Sequence, residues 1–196
     1  MAIHERRARE REARERLIID VARELAEAEG WEAVTTRRLA ERVEYSQPVL
    51  YSHFAGMGAL MAAVAMEGFT EIAEALLRAV RTPEVSPSER LADVATAYLD
   101  FGARHPALYD AMFSRAVELK FAQESTPAPM REGFGALREV VRPYVGDDAD
   151  ADADVDALTE VFWSCLHGLV TLAATGRLNP ALVELRLTAL VERFSR

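Results

Sequence analysis

The chain has 196 residues, half of them hydrophobic and 28% charged, with a formal net charge of −9. That is enough apolar material for a large domain, or for a small module beside a larger one. A single cysteine, Cys165, excludes an intrachain disulfide framework, and the charged N-terminus without an apolar core leads us to expect no secretory signal. The longest apolar stretch, 161–174, is shorter than the roughly 20 residues of a spanning helix, so we expect a cytoplasmic protein with no membrane partner. The acidity is unevenly spread. Residues 1–55 hold 10 Arg against 11 Asp and Glu, a net of −1, which leaves −8 for residues 56–196. Nucleic-acid binding by the N-terminal part is therefore left open, since phosphate contacts depend on where charge sits.

In chain order, the first predicted helix buries Leu17, Ile18, Val21, Ala22 and Leu25 on one face and stops near Gly30. Upstream, Glu5–Arg9, Glu10–Arg14 and Glu12–Arg16 are spaced as i,i+4 pairs, which would extend the helix toward the N-terminus. This arginine-rich arm has two readings. It is either a solvated, self-paired face, or Arg6 and Arg7 reach a neighbouring minor groove.

A short helix is predicted over 36–43, with Thr35 as N-cap and Val34 and Leu39 at the spacing of a hydrophobic staple. Another follows Ser46, with Pro48 in its first turn and the same spacing between Tyr45 and Leu50. A long helix over about 58–80, a Pro-rich turn, and helices near 88–104 and 106–114 come next. After a loop with two prolines, a helix near 130–144 leads to an acidic loop at 147–154. The final helices span about 155–176 and 180–195. About nine helices and no strand-like alternation give an all-α fold.

Three helices, one long and two short, match a helix-turn-helix module, whose third helix enters the major groove. Leu39, Ala40, Val43, Leu50 and Phe54 supply its core, which leaves Gln47, Val49, Tyr51, Ser52 and His53 outward. Gln can pair with adenine and Val can meet the thymine methyl. Tyr, Ser and His can bond phosphate oxygens, as can the N–H groups at the helix starts near Thr36 and Gln47. Arg37 or Arg38 would add charge beside the backbone.

The run TTRRLAERVEYSQPVLYSHFAGMGAL, with Leu50, Tyr51, His53 and Phe54 in its Leu-Tyr-x-His-Phe ending, resembles the signature of TetR-family regulators over about residues 17–65. Two positions depart from that pattern. Glu44 stands where the turn usually has a small residue, and Met57 where a phosphate-contacting Lys is usual. The resemblance implies DNA-binding residues Thr35, Thr36, Arg37, Ser46, Gln47, Pro48, Val49, Tyr51, Ser52 and His53, and a division into residues 1–56 for DNA and 57–196 for effector binding and dimerisation.

Farther on, Arg104 to Tyr109 with Met112-Phe113, and Trp163 with His167-Gly168-Leu169, resemble the C-terminal domain of a TetR subgroup named for Trp-His-Gly. That likeness implies a small-molecule pocket. Its candidate lining is Phe69, Tyr98, Phe101, Tyr109, Met112, Phe113, Phe134, Trp163 and His167, although ordinary core is the better reading for each aromatic taken singly, and a hydrogen-bonded core histidine for His167. The last two helices are apolar around well over half their circumference and must bury a second side, as a two-fold homodimer interface would.

The acidic run lacks the Gly and Glu of a calcium loop, no His or Cys spacing suits zinc, and no phosphate-binding or nucleophile motif is present. We therefore expect no metal, cofactor or catalytic residue. The expected function is a ligand-responsive regulator of a palindromic DNA operator, released by its effector as repressors are. The alternative is a helical small-molecule-binding protein or enzyme of the same fold that has lost DNA binding.

Overall fold

The computed structural model describes residues 2–115, 119, 121, 123–146 and 151–195. Among these there are nine α-helices and no strand: α1 Ala2–Glu29, α2 Thr36–Val43, α3 Gln47–His53, α4 Met57–Val80, α5 Pro87–Arg104, α6 Pro106–Asp110, α7 Ala128–Val141, α8 Ala151–Ala174 and α9 Val183–Phe194. Short 3-10 turns at Trp31–Ala33, Arg142–Tyr144 and Pro180–Leu182 and a π turn at Ala111–Arg115 complete the order.

The chain forms two compact units that interleave along the sequence. The first holds Met1–Gly68 and His105–Lys120, the second Phe69–Arg104 and Phe121–Arg196.

In the first unit, Ile18, Ala22 and Leu25 of α1 meet Leu39, Ala40 and Val43 of α2 and Leu50 of α3, all buried. The Thr35 hydroxyl accepts the Arg38 N–H at 3.3 Å, which supplies the expected cap. Ser46 occupies the cap position of α3 without a side-chain cap bond. α2 ends on Glu44 in the left-handed conformation, φ 57° and ψ 33°, where its N–H bonds the Ala40 carbonyl. A left-handed residue there turns the chain sharply into α3, at a strain cost that glycine would avoid.

α6 is moored to α1 by side chains. The Glu27 carboxylate accepts the N–H groups of Ala107 (3.1 Å) and Leu108 (3.0 Å), and the Trp31 indole donates to the Ala107 carbonyl at 2.8 Å. Glu27 thus performs the capping of α6 that His105 does not. Gly68 of α4 lets α6 and the π turn approach that helix closely, because a Cβ there would lie 2.6 Å from Met112 Sδ.

In the second unit, α5, α7, α8 and α9 pack around Leu91, Val94, Tyr98, Leu137, Val140, Phe162 and Leu166. α8 starts at Ala151, so Asp152 and Asp154, expected in a loop, form its first turn instead. Carboxylates there complement the helix dipole, and Asp152 is bridged by Arg138 (2.7 Å) and Arg142 (2.8 Å). The rest of the expected loop, 147–150, lies outside the described residues.

α8 and α9 keep much apolar surface in the open. Val161 is 53% exposed and Leu185 64%, with Leu172, Leu182 and Val183 also exposed, and α9 has no buried residue. α8 is long and apolar enough by composition to cross a membrane, unlike the 161–174 run considered alone. Its first half nevertheless carries Asp152, Asp154, Asp156 and Glu160.

Candidate functional site

α3 presents Gln47, Pro48, Val49, Tyr51 and Ser52 to solvent, with Tyr51 56% exposed. Pro48 in the first turn needs no N–H partner, and Leu50 faces inward and is buried. The Ser52 hydroxyl donates to the Val49 carbonyl at 2.7 Å, so it lies back along its own helix. What remains is a short ridge of one amide, two apolar groups and a phenol. Such a set can read base edges and meet phosphate oxygens.

His53 departs from the outward placement that the sequence suggests. Its side chain is 7% exposed and turned to α1, with Nδ1 3.3 Å from Glu15 Oε1. Arg11 completes the connection, donating Nε to the same Glu15 oxygen at 2.8 Å and a guanidinium N–H to the Ser52 carbonyl at 3.3 Å. The last turn of α3 is thereby held against α1 by charge-assisted bonds. Burial alone would raise the Glu15 carboxyl, but the bonds from His53 and Arg11 outweigh it and hold it below the usual carboxylate range.

At α2, Thr35 is exposed, Thr36 half-buried and Arg37 exposed, with Arg37 Nε 2.9 Å from Glu41. Arg38 is committed elsewhere. It makes a forked bond to Glu29 at 2.7 and 2.8 Å and so braces α2 to the end of α1. That bond is the main reason the Glu29 carboxyl sits below its ordinary value. Met57 lies with Thr36, Tyr51 and Phe54 around a cavity of about 20 Å3, an apolar side chain at the position where the resemblance implies a lysine.

The expected pocket residues divide between the two units. Tyr109, Met112 and Phe113 belong to the first, where the Tyr109 and Phe113 rings meet at a 46° tilt with centroids 4.6 Å apart. In the second unit, Phe134 and Trp163 line a cleft of about 680 Å3 between α7 and α8. Tyr98 and Phe69 stand one layer behind. The Trp163 indole donates to the Tyr98 hydroxyl at 2.9 Å, and Phe69 meets Phe121 edge-on at 5.5 Å. Phe101 is core, and half-buried His167 lies beside Thr171, its pKa pushed down by burial.

Phe121, Gln123, Thr126, Met130 and Arg131 also line the cleft and were not foreseen. They come from the connection before α7 and its first turn, where no periodicity marks an inward side chain. Phe121 bridges to Trp163 at 5.3 Å, and Arg131 is held by the Thr126 carbonyl. The cleft therefore has an aromatic floor and a charged rim of Arg131, Arg138, Asp156 and Glu160. No group of three or more His, Cys, Asp or Glu side chains suited to a metal ion occurs among the described residues.

Residues 18–64 match the family of bacterial regulatory proteins called tetR, and residues 91–194 match the tetracyclin repressor-like C-terminal domain. An uncharacterized HTH-type transcriptional regulator of Bacillus subtilis, YobS, is 30% identical over 97 residues, which is 50% of each chain. The match thus spans only half the length of that relative. A second, Rv0681 of Mycobacterium tuberculosis, also named an uncharacterized HTH-type transcriptional regulator, is 28% identical over 91% of this chain and 78% of its own. A solved structure from Rhodococcus sp. RHA1, of unknown function, is 27% identical and superposes with a TM-score of 0.72 over 92% of both chains.

Proposed function

This chain belongs to the TetR family of bacterial regulators, and from that premise we propose a ligand-responsive, homodimeric repressor of a palindromic DNA operator. The observation that carries the DNA reading is the α3 ridge, braced from behind by Arg11, Glu15 and His53 while Gln47, Val49 and Tyr51 stand free of the core. In our assignment Gln47 and Val49 read base edges, and Thr35, Thr36, Arg37, Ser46, Pro48, Tyr51 and Ser52 lie along the phosphates. His53 acts through α3 by fixing its last turn. Residues 1–56 form the DNA-binding part and 57–196 the sensing and dimerising part.

The homodimer reading rests on the exposed apolar residues of α8 and α9. A two-fold homodimer suits a palindromic operator, whose half-sites lie one DNA turn, about 34–36 Å, apart. Effector binding is assigned to the α7–α8 cleft, whose volume suits a small molecule and whose floor is aromatic. Trp163, His167 and Gly168 on α8 keep the Trp-His-Gly subgroup as the finer family reading. A ligand shifts the DNA-bound state only by binding the two states unequally. We assign the chain no catalytic role, no cofactor and a cytoplasmic location.

The test is selection of duplexes from a random-sequence pool by the purified chain. Recovery of one palindromic sequence is expected. Recovery of none, with salt-dependent binding to every duplex alike, would overturn the operator reading and favour the alternative of a ligand-binding protein that has lost DNA recognition.

A further inference from the structure

The arm of α1 is built differently from what its sequence spacing suggests. None of Glu5–Arg9, Glu10–Arg14 and Glu12–Arg16 forms an ion pair among the described residues. The pairs that do form run the other way, Arg6 to Glu10 at 3.4 Å and Arg11 to Glu15 at 2.8 Å. Arg7, Arg9, Arg14 and Arg16 are exposed and without a carboxylate partner, and of these Arg7 and Arg14 share the face of α1 that carries Arg11.

Their position matters as much as their charge. On an α-helix, positions 7, 11, 14, 18, 22 and 25 fall on one stripe. Ile18, Ala22 and Leu25 bury the far half of that stripe in the helix-turn-helix core. Arg11, between positions 7 and 14 on the stripe, reaches the Ser52 carbonyl at the end of α3. At 1.5 Å per residue, Arg7 stands about 6 Å beyond Arg11 along α1 and Arg14 about 4.5 Å before it. Positions 7 and 14 therefore lie on either side, along α1, of the point where Arg11 reaches the end of α3. Arg6, bonded to Glu10 at 3.4 Å, lies about 100° around α1 from Arg7 and off that stripe.

We propose that Arg7 and Arg14 form a second DNA-contacting element, a phosphate clamp on the backbone flanking the groove that α3 enters. The inference rests on the DNA reading above, but uses residues 2–17, which lie outside the stretch matched to the family. The occupant is fixed by charge. Two unpaired guanidinium groups continue an interface whose own Arg38 is spent on Glu29 and whose Met57 is apolar. A phosphodiester backbone supplies the anionic oxygens they lack. The contact adds affinity and salt dependence without reading sequence.

The experiment uses the full chain and the duplexes it recovers from a random pool, each prepared as the bare site and with about one helical turn of added flank on each side. R7A/R14A is expected to bind the flanked duplex more weakly, with the slope of log affinity against log salt reduced by about 1.8 per protomer and with sequence preference unchanged. R7K/R14K is expected to retain the slope, which separates lost charge from a folding defect. An R7A/R14A slope and affinity equal to wild type would overturn the clamp while leaving the α3 reading standing. Failure of the wild-type chain to recover any sequence would overturn both.

Discussion

Removing the Glu15 carboxylate is the sharpest perturbation of the α1–α3 brace. Glu15 accepts from Arg11 at 2.8 Å and from His53 at 3.3 Å, and the His53 side chain is only 7% exposed. A hydrogen bond to a charged group contributes about 1.5–3 kcal/mol. Glu15 is 29% exposed and Arg11 59%, so solvent screening reduces the expected loss in Glu15→Ala to about 1–2 kcal/mol. The assay is a double-mutant cycle of Glu15→Ala and His53→Ala by urea unfolding, with an expected coupling of about 1 kcal/mol at pH 7. The sign with pH follows from the depressed carboxyl. Its contribution is complete above the unfolded carboxylate pKa and disappears as pH falls through the lower folded value. The coupling should therefore fade below about pH 4. Zero coupling at pH 7, or coupling that persists undiminished well below that pH, would refute the brace.

Leu185→Glu or Val161→Glu, both at exposed apolar positions, should convert a dimer to monomers by sedimentation analysis without loss of helix content. A persistent dimer would remove α8 and α9 from the interface. Trp163→Phe deletes the donor to the Tyr98 hydroxyl and should cost about 1 kcal/mol in urea unfolding. An unchanged midpoint would show that the bond does not hold the cleft floor. His167 has its pKa lowered by burial. Its share of stability is thus complete above about pH 6.5 and lost as pH falls through the folded value. His167→Gln should flatten that part of the stability–pH curve, and an identical curve would contradict it.

Helix existence and most boundaries were legible in the sequence because caps and breakers are local. Thr35, Pro48 and Gly30 act within a few residues of themselves. The core of the small module was legible for the same reason, with Leu39, Val43 and Leu50 buried as their spacing implies. The acidic start of α8 was read as a loop because its aspartates lower intrinsic helix propensity. The Arg138 and Arg142 partners that offset this lie about a dozen residues away. His53 illustrates a different limit. On a seven-residue helix a side chain at the last position can turn either way, and the carboxylate that decides it lies 38 positions upstream. The same holds for Glu27 and Trp31, whose acceptors and donors in α6 follow 76–81 residues later. In the cleft, Phe134 and Trp163 were foreseen on their helices, whereas Phe121 and Thr126 were hidden in an aperiodic connection.

The central claim is that α3 reads a DNA sequence through Gln47 while Tyr51 holds the backbone. The most direct measurement compares the duplexes selected from a random pool by the wild-type chain, Gln47→Ala and Tyr51→Ala at fixed salt. Gln47→Ala is expected to relax preference at defined base pairs, at about 1–3 kcal/mol each, and Tyr51→Ala to weaken all duplexes alike. An unchanged preference in Gln47→Ala, with wild-type affinity, would contradict it.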